Sequence, residues 1–256
     1  MLADVFLGAV LALAISALTT PVGVSGAVFL VPVQVSILHT PSPAVTPTNL
    51  MFNILALPAA LLRHKRQGAL RGPLLKAMII GTLPGVVAGA VLRVEVLSGP
   101  EAFLAVIACV LIPLGAWLAL RPPRPPRAAE GVGRGTSALA LVVGAVGGIY
   151  GIGGGSILGP ILVGRGYPVR DVAPAALATT FVTSLAGVLA YSALSLQAGG
   201  NVAPDWLLGL GLGAGGAAGA YAGARMQGHL SEGVLRRGLG VLALGLGARY
   251  AVLAFS

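Results

Sequence analysis

The sequence predicts an all-α, polytopic transmembrane helical bundle of two inverted five-element repeats, each with a broken, re-entrant helix pair plus three full spans. Three observations predict it. Of 256 residues, 56% are apolar and only 9% are charged, whereas a soluble domain carries roughly 25% charged residues. The few charges cluster between long apolar runs, the pattern of bilayer-spanning helices. A glycine-rich interruption recurs early in each half of the chain.

The elements follow in order. Leu2–Leu18 and Val22–Leu38 are separated only by Thr19-Thr20-Pro21 and form a broken pair. Pro47–Leu62, Pro73–Leu92 and Glu101–Leu120 are full spans. Arg121-Pro-Pro-Arg-Pro-Pro-Arg127 follows, and its proline repeat makes a stiff, extended linker rather than a helix. The chain therefore divides into an N-terminal repeat (1–120), a Pro/Arg-rich cytoplasmic linker (121–135) and a C-terminal repeat (136–256). In the second half, Ser137–Gly148 and Tyr150–Val163 pair around a glycine cluster, and Pro174–Gln197, Trp206–Ala224 and Val234–Phe255 follow. The abundant glycine and alanine suit close helix contact in lipid. The first residues, Met1-Leu2-Ala3-Asp4, lack the basic start of a cleaved signal peptide, so the first run reads as a retained helix.

The halves align locally. Gly23-Val-Ser-Gly26-Ala-Val-Phe-Leu-Val-Pro32 matches Gly151-Ile-Gly-Gly154-Gly-Ser-Ile-Leu-Gly-Pro160 without a gap. Further on, Thr48-Asn49-Leu50 falls opposite Thr179-Thr180-Phe181. If each broken pair returns to its starting side, fourteen of the sixteen basic residues lie on the inner face, leaving only Arg93 and Arg249 outside. The positive-inside rule favours that hairpin topology. With five elements per half, the halves then sit in opposite orientation and both termini lie on the outer face. Inverted repeats with broken helices are a transporter architecture, with the substrate between the repeats.

A net charge of +9 would invite nucleic acid in a soluble chain. Here the basic residues end apolar runs and read as topology determinants, so the expected surroundings are a lipid bilayer and no nucleic acid; a homo-oligomer is compatible with the sequence. The single cysteine, Cys109, excludes an intrachain disulfide and a Cys-based metal site, and is expected to pack in the core. The spans carry no nucleophile–base pair and no metal-ligand set, so no enzyme, catalytic residue, metal or cofactor is expected.

The strongest local feature is the cluster Gly151, Gly153, Gly154, Gly155 and Ser156, closing on Pro160. A continuous helix disfavours such glycines, each costing about 1 kcal/mol relative to Ala. The bilayer tolerates non-helical backbone only where protein or a cavity surrounds it. Glycine N–H groups and the start of the next helix make an anion cradle without a charged side chain; tight packing through small residues is the alternative. Gly23, Ser25 and Gly26 are the first-half counterpart. A second constellation opens the third element of each half. Thr48, Asn49 and Asn53, with Thr46, stand against Thr179, Thr180 and Thr183, with Ser184. Residues four apart share a helix face. Their hydroxyls and amides serve either to bind anion oxygens or to hydrogen-bond between helices. Acidic residues fall near ends or in loops, so the intramembrane carboxylate of a proton relay is missing. Arg93 and Arg165, near membrane ends, read as interfacial anchors, with attraction of anions at the mouths as the alternative.

The glycine cluster closing on Pro160 resembles the motif of the sulfite exporter TauE/SafE family, also called the toluene-sulfonate uptake permease family. The likeness extends to length, the two-half layout, the basic central linker and a glycine-rich motif in each half. Ser25 and Ala27 depart from glycine, while Gly23, Gly26 and Pro32 match. The resemblance implies a transporter, read here as an exporter, of a small sulfur-containing anion such as sulfite or an organosulfonate across the bacterial plasma (inner) membrane. Uptake of sulfate, thiosulfate or sulfonate, or an anion channel, is the alternative.

Overall fold

The computed structural model describes residues 2–20, 24–66, 70, 72–97, 99–120, 134–165, 167, 169–197, 202–226 and 232–255. Among these residues there are ten α-helices and no strand. The first five are α1 (Leu2–Thr19), α2 (Ala27–Ser36), α3 (Ser42–Arg66), α4 (Pro73–Glu95) and α5 (Pro100–Leu120). The second five are α6 (Arg134–Tyr150), α7 (Gly154–Gly164), α8 (Val169–Ser195), α9 (Trp206–Met226) and α10 (Glu232–Phe255). The expected linker lies outside the described residues except for its last two, where α6 has already begun.

Local chemistry sets the helix ends. Pro73 opens α4 where its missing N–H costs nothing. Asp205 precedes α9, and its Oδ1 accepts the Leu208 N–H at 3.0 Å, a side-chain N-cap. Asp4, Glu101 and Asp171 sit in first turns, where the helix dipole favours negative charge. The apolar pattern placed the start of the third element at Pro47, but α3 begins at Ser42 and carries Pro47 and Pro58 inside. The apolar pattern places the start of the seventh element at Tyr150, whereas Tyr150 ends α6 and the chain turns before α7.

Five described helices are long and apolar enough to cross a membrane: α1, α3, α4, α5 and α8. The chain is thus a multi-pass membrane protein. α1 is longer than half of a broken pair needs. α9 is long enough but rich in glycine, which lowers its hydropathy.

Glycine seams hold the bundle. Gly215, Gly219 and Gly223 of α9 lie against the carbonyls of Ala9, Leu13 and Ala17 of α1, so these two helices run parallel. Gly85 and Gly89 of α4 lie against the Leu141 and Ala145 carbonyls of α6 in the same manner. A methyl at any of these positions would overlap backbone, which is the small-residue packing expected without a hydrophobic drive between helices. α5 and α10 pack antiparallel, Gly115 beside Leu244 and Gly247 beside Ile112. The pairings recur with the halves exchanged. α1 packs on α9 as α6 packs on α4; α3 packs on α9 as α8 packs on α4; α2 packs on α3 as α7 packs on α8.

α3 and α8 are the most buried spans and cross at the centre. Leu50 fits against Gly187, while Leu57 and Ala60 cluster with Leu177. Cys109 is not in the core as expected. It is exposed, on the wall of an apolar groove formed with Trp117, Val142, Val146, Ile157 and Pro160. The apolar exterior of a membrane helix gives no pattern that separates lipid-facing from buried positions, so its place was not legible.

Candidate functional site

Both short helices turn back along the helix before them. Gly26, just before α2, lies against Ser16, and Leu38, just past its end, lies against Gly8, so α2 retraces α1. α7 begins with Gly153 against Gly147 and carries Leu158 and Leu162 back against Ala140 and Val143. Each hairpin tip abuts the middle of a crossing helix. Ser25 meets Asn53 of α3, and Gly154 meets Thr183 of α8.

The second tip is built from backbone. The N–H groups of Gly151, Ile152 and Gly153 converge on the Gly147 carbonyl at 2.9, 3.1 and 3.3 Å. Gly151 and Gly153 have φ of 81° and 72°, a region that side chains rarely adopt. The Gly154 N–H donates to Thr183 Oγ at 3.2 Å. Thr183 in turn donates to the Thr179 carbonyl at 2.8 Å. Ser156 Oγ donates to the Ile152 carbonyl at 2.9 Å and lies 3.2 Å from Thr180 Oγ. Gly155 packs so closely on the Ala176 carbonyl that no Cβ fits. In this conformation the N–H groups of Gly151, Gly153 and Gly154 are therefore bonded within the protein.

The first tip is built from side chains. Ser25 Oγ donates to Asn53 Oδ1 at 2.7 Å and accepts the Ala27 N–H at 3.2 Å. Asn49 joins the two tips. Its Nδ2 donates to the carbonyls of Ala27 and Gly151, each at 2.9 Å, and its Oδ1 accepts from Gln34 Nε2 at 3.1 Å. Two further bonds run across: Tyr150 OH to the Val28 carbonyl at 2.8 Å, and Thr46 Oγ to the Ile149 carbonyl at 3.0 Å.

The structure thus brings together Ser25, Gly26, Asn49, Asn53, Gly151, Gly153, Gly154, Gly155, Ser156, Thr179, Thr180 and Thr183. Gly23 lies outside the described residues. Thr48 serves elsewhere: its Oγ accepts the Asp205 N–H at 2.8 Å, tying α3 to the start of α9.

Several buried polar atoms here have no hydrogen-bond partner among the described residues: Asn53 Nδ2, Ser184 Oγ, Thr179 Oγ and Gln34 Oε1. Such atoms are costly to bury. Two of them match. Asn53 and Ser184 each lie four residues beyond the aligned pair Asn49 and Thr180. The register that sets Leu50 against Gly187 and Leu57 with Leu177 puts Asn53 and Ser184 at one level of the crossing. Sequence reasoning missed Gln34, within an apolar run, and Thr82, whose side chain packs on Gly154. Only the fold brings either to the tips.

A family model described as Sulfite exporter TauE/SafE matches residues 7–250. No curated protein and no solved structure matches the chain. With nearly its whole length matched and its long apolar helices in place, the chain belongs to the sulfite exporter TauE/SafE family of membrane transporters.

Proposed function

We propose that this chain moves a small sulfur-containing anion, sulfite or an organosulfonate, out of the cell, and that the anion rests where the two hairpin tips meet the crossing of α3 and α8. One observation carries the placement: Asn53 and Ser184 present unpartnered buried donors, Nδ2 and Oγ, at one level of two crossing helices. Each stands beside the start of a short helix. Gly26 precedes α2, and a Cβ on Gly153 would lie 3.2 Å from Ser184 Oγ. Amide and hydroxyl donors with two helix N-termini suit an oxyanion and need no fixed charge.

The recurrence of the major pairings with the halves exchanged supports a repeat, the antiparallel register of its counterpart helices α3 and α8 supports its inversion, and the distribution of basic residues favours an inner-membrane topology with both termini outside. Two equivalent hairpins then rock against α3 and α8 to open the site to either side. Opening would break the bonds from the second tip to Gly147 and Thr183, releasing the N–H groups of Gly151, Gly153 and Gly154 for the substrate. The energetics favour export. The described acidic residues lie at helix ends or next to them, which leaves no carboxylate relay for coupling. Leaving a cell that is negative inside, an anion gains about 2.3 kcal/mol per charge per 100 mV.

Reconstitution in liposomes tests this reading. Sulfite, thiosulfate, sulfate and a short sulfonate are offered under imposed potentials of each sign. Sulfite or sulfonate is expected to move toward the positive side, and counterflow by the same anion marks a carrier rather than a channel. Folded protein that passes none of these anions rules the reading out.

A further inference from the structure

Arg93 was expected as an interfacial anchor, but it is only 1% exposed. An anchor extends its charge to water; this guanidinium is covered. Its Nη1 donates to the Leu97 carbonyl. Its Nη2 donates to the Ser42 carbonyl at 2.9 Å and to Ser42 Oγ at 2.6 Å. Its carbon lies 4.3 Å from the centre of the Phe103 ring. None of these partners carries a negative charge, and the buried Nε has no hydrogen-bond partner among the described residues. A buried charge is costly unless paired, and in a membrane helix it marks a functional site by default.

Its position adds to this. α4 runs parallel to α6, with Gly85 against Leu141 and Gly89 against Ala145. That register carries Arg93 to the level where α6 ends and the second tip turns. Ala90 and Val94, on either side of it, cluster with Tyr191, whose hydroxyl donates to the Gly148 carbonyl at 3.0 Å. Beyond Arg93 lie Ser42 and Leu97, at the start of α3 and just past the end of α4. The guanidinium therefore stands between the tips and one end of the bundle.

We infer that Arg93 is a second anion-binding station, between the α3–α8 crossing and the α4–α5 turn, where its Nε and the Ser42 hydroxyl take an oxygen of the passing oxyanion. A planar guanidinium matches an oxyanion better than an ammonium does. The carbonyls of Ser42 and Leu97 hold the group in place while leaving its charge unneutralised. This inference rests on the reading of the substrate as a sulfur oxyanion.

The test is sulfite flux against concentration in proteoliposomes, for the wild type, Arg93→Gln, Arg93→Lys and Ser42→Ala, with the amount of folded protein measured in each. Arg93→Gln is expected to raise the half-saturating sulfite concentration about tenfold or more, the loss of one charge-assisted hydrogen bond. Arg93→Lys should fall between it and the wild type. Should Arg93→Gln fail to fold, Ser42→Ala keeps the guanidinium and is expected to raise half-saturation by roughly threefold, a weaker hydrogen bond lost. A purely structural role would lower the folded amount or the maximal rate and leave half-saturation unchanged in every folded variant, overturning the inference while the transport reading stands. A wild type that carries no sulfur anion defeats both.

Discussion

The two hairpin tips occupy equivalent places and are made differently. At the first, Ser25 bonds Asn53, and Gly26 has as its nearest neighbour the side-chain oxygen of Ser16. At the second, three successive N–H groups close on one carbonyl, and glycine meets backbone at Gly147, Gly151 and Gly155. A neighbour that is a side chain can shift; a neighbour that is backbone cannot. The second tip therefore demands glycine at several positions, while the first admits Ser25 and Ala27. The difference explains why the motif is dense in one half and sparse in the other, without implying that only one tip matters.

Substitutions that probe each tip should separate them, and the largest effect belongs to the backbone-built one. Gly155→Ala would drive a methyl into the Ala176 carbonyl and is expected to cost at least about 3 kcal/mol, read as a large fall in melting temperature in detergent. Asn49→Ala removes the link between the tips and strands two carbonyls; a loss of about 2–3 kcal/mol should appear in the same melt. Gly153→Ala places a side chain at φ 72°, for roughly 1–2 kcal/mol. Gly26→Ala has its one tight contact at Ser16 Oγ, 2.8 Å away, an atom with no hydrogen-bond partner among the described residues to hold it, so the expected cost is under about 1 kcal/mol. If Gly26→Ala proved as damaging as Gly155→Ala, the contrast between the tips would collapse.

Much of the bundle was legible in the sequence, because apolar runs between charged clusters are a direct consequence of burying helices in lipid. The glycine cluster marked the second tip correctly, since no helix chooses those residues. What it could not reveal was the state of the tip's N–H groups, which bond to Gly147 and Thr183 rather than standing open. Asn49 and Asn53 were visible as polar residues on one face, but their division of labour was not. Asn49 is fully bonded to backbone and Gln34, while Asn53 keeps a free donor, and that distinction depends on which helices cross. Thr48 looked the same as Asn49 in sequence and faces α9 instead. Arg93 read as a surface charge because its burial depends on Ser42, Leu97 and Phe103, which the sequence alone does not bring together.

The donors of Asn53 and Ser184 are the proposed resting place of the anion. The direct measurement is sulfite flux by Ser184→Ala and Asn53→Leu, singly and together, in proteoliposomes of matched protein content. Ser184 Oγ has no hydrogen-bond partner among the described residues, so Ser184→Ala should melt within about 0.5 kcal/mol of the wild type, yet its half-saturating sulfite concentration should rise by roughly tenfold. The double variant should carry almost none. Wild-type saturation in both single variants, from folded protein, would contradict the site.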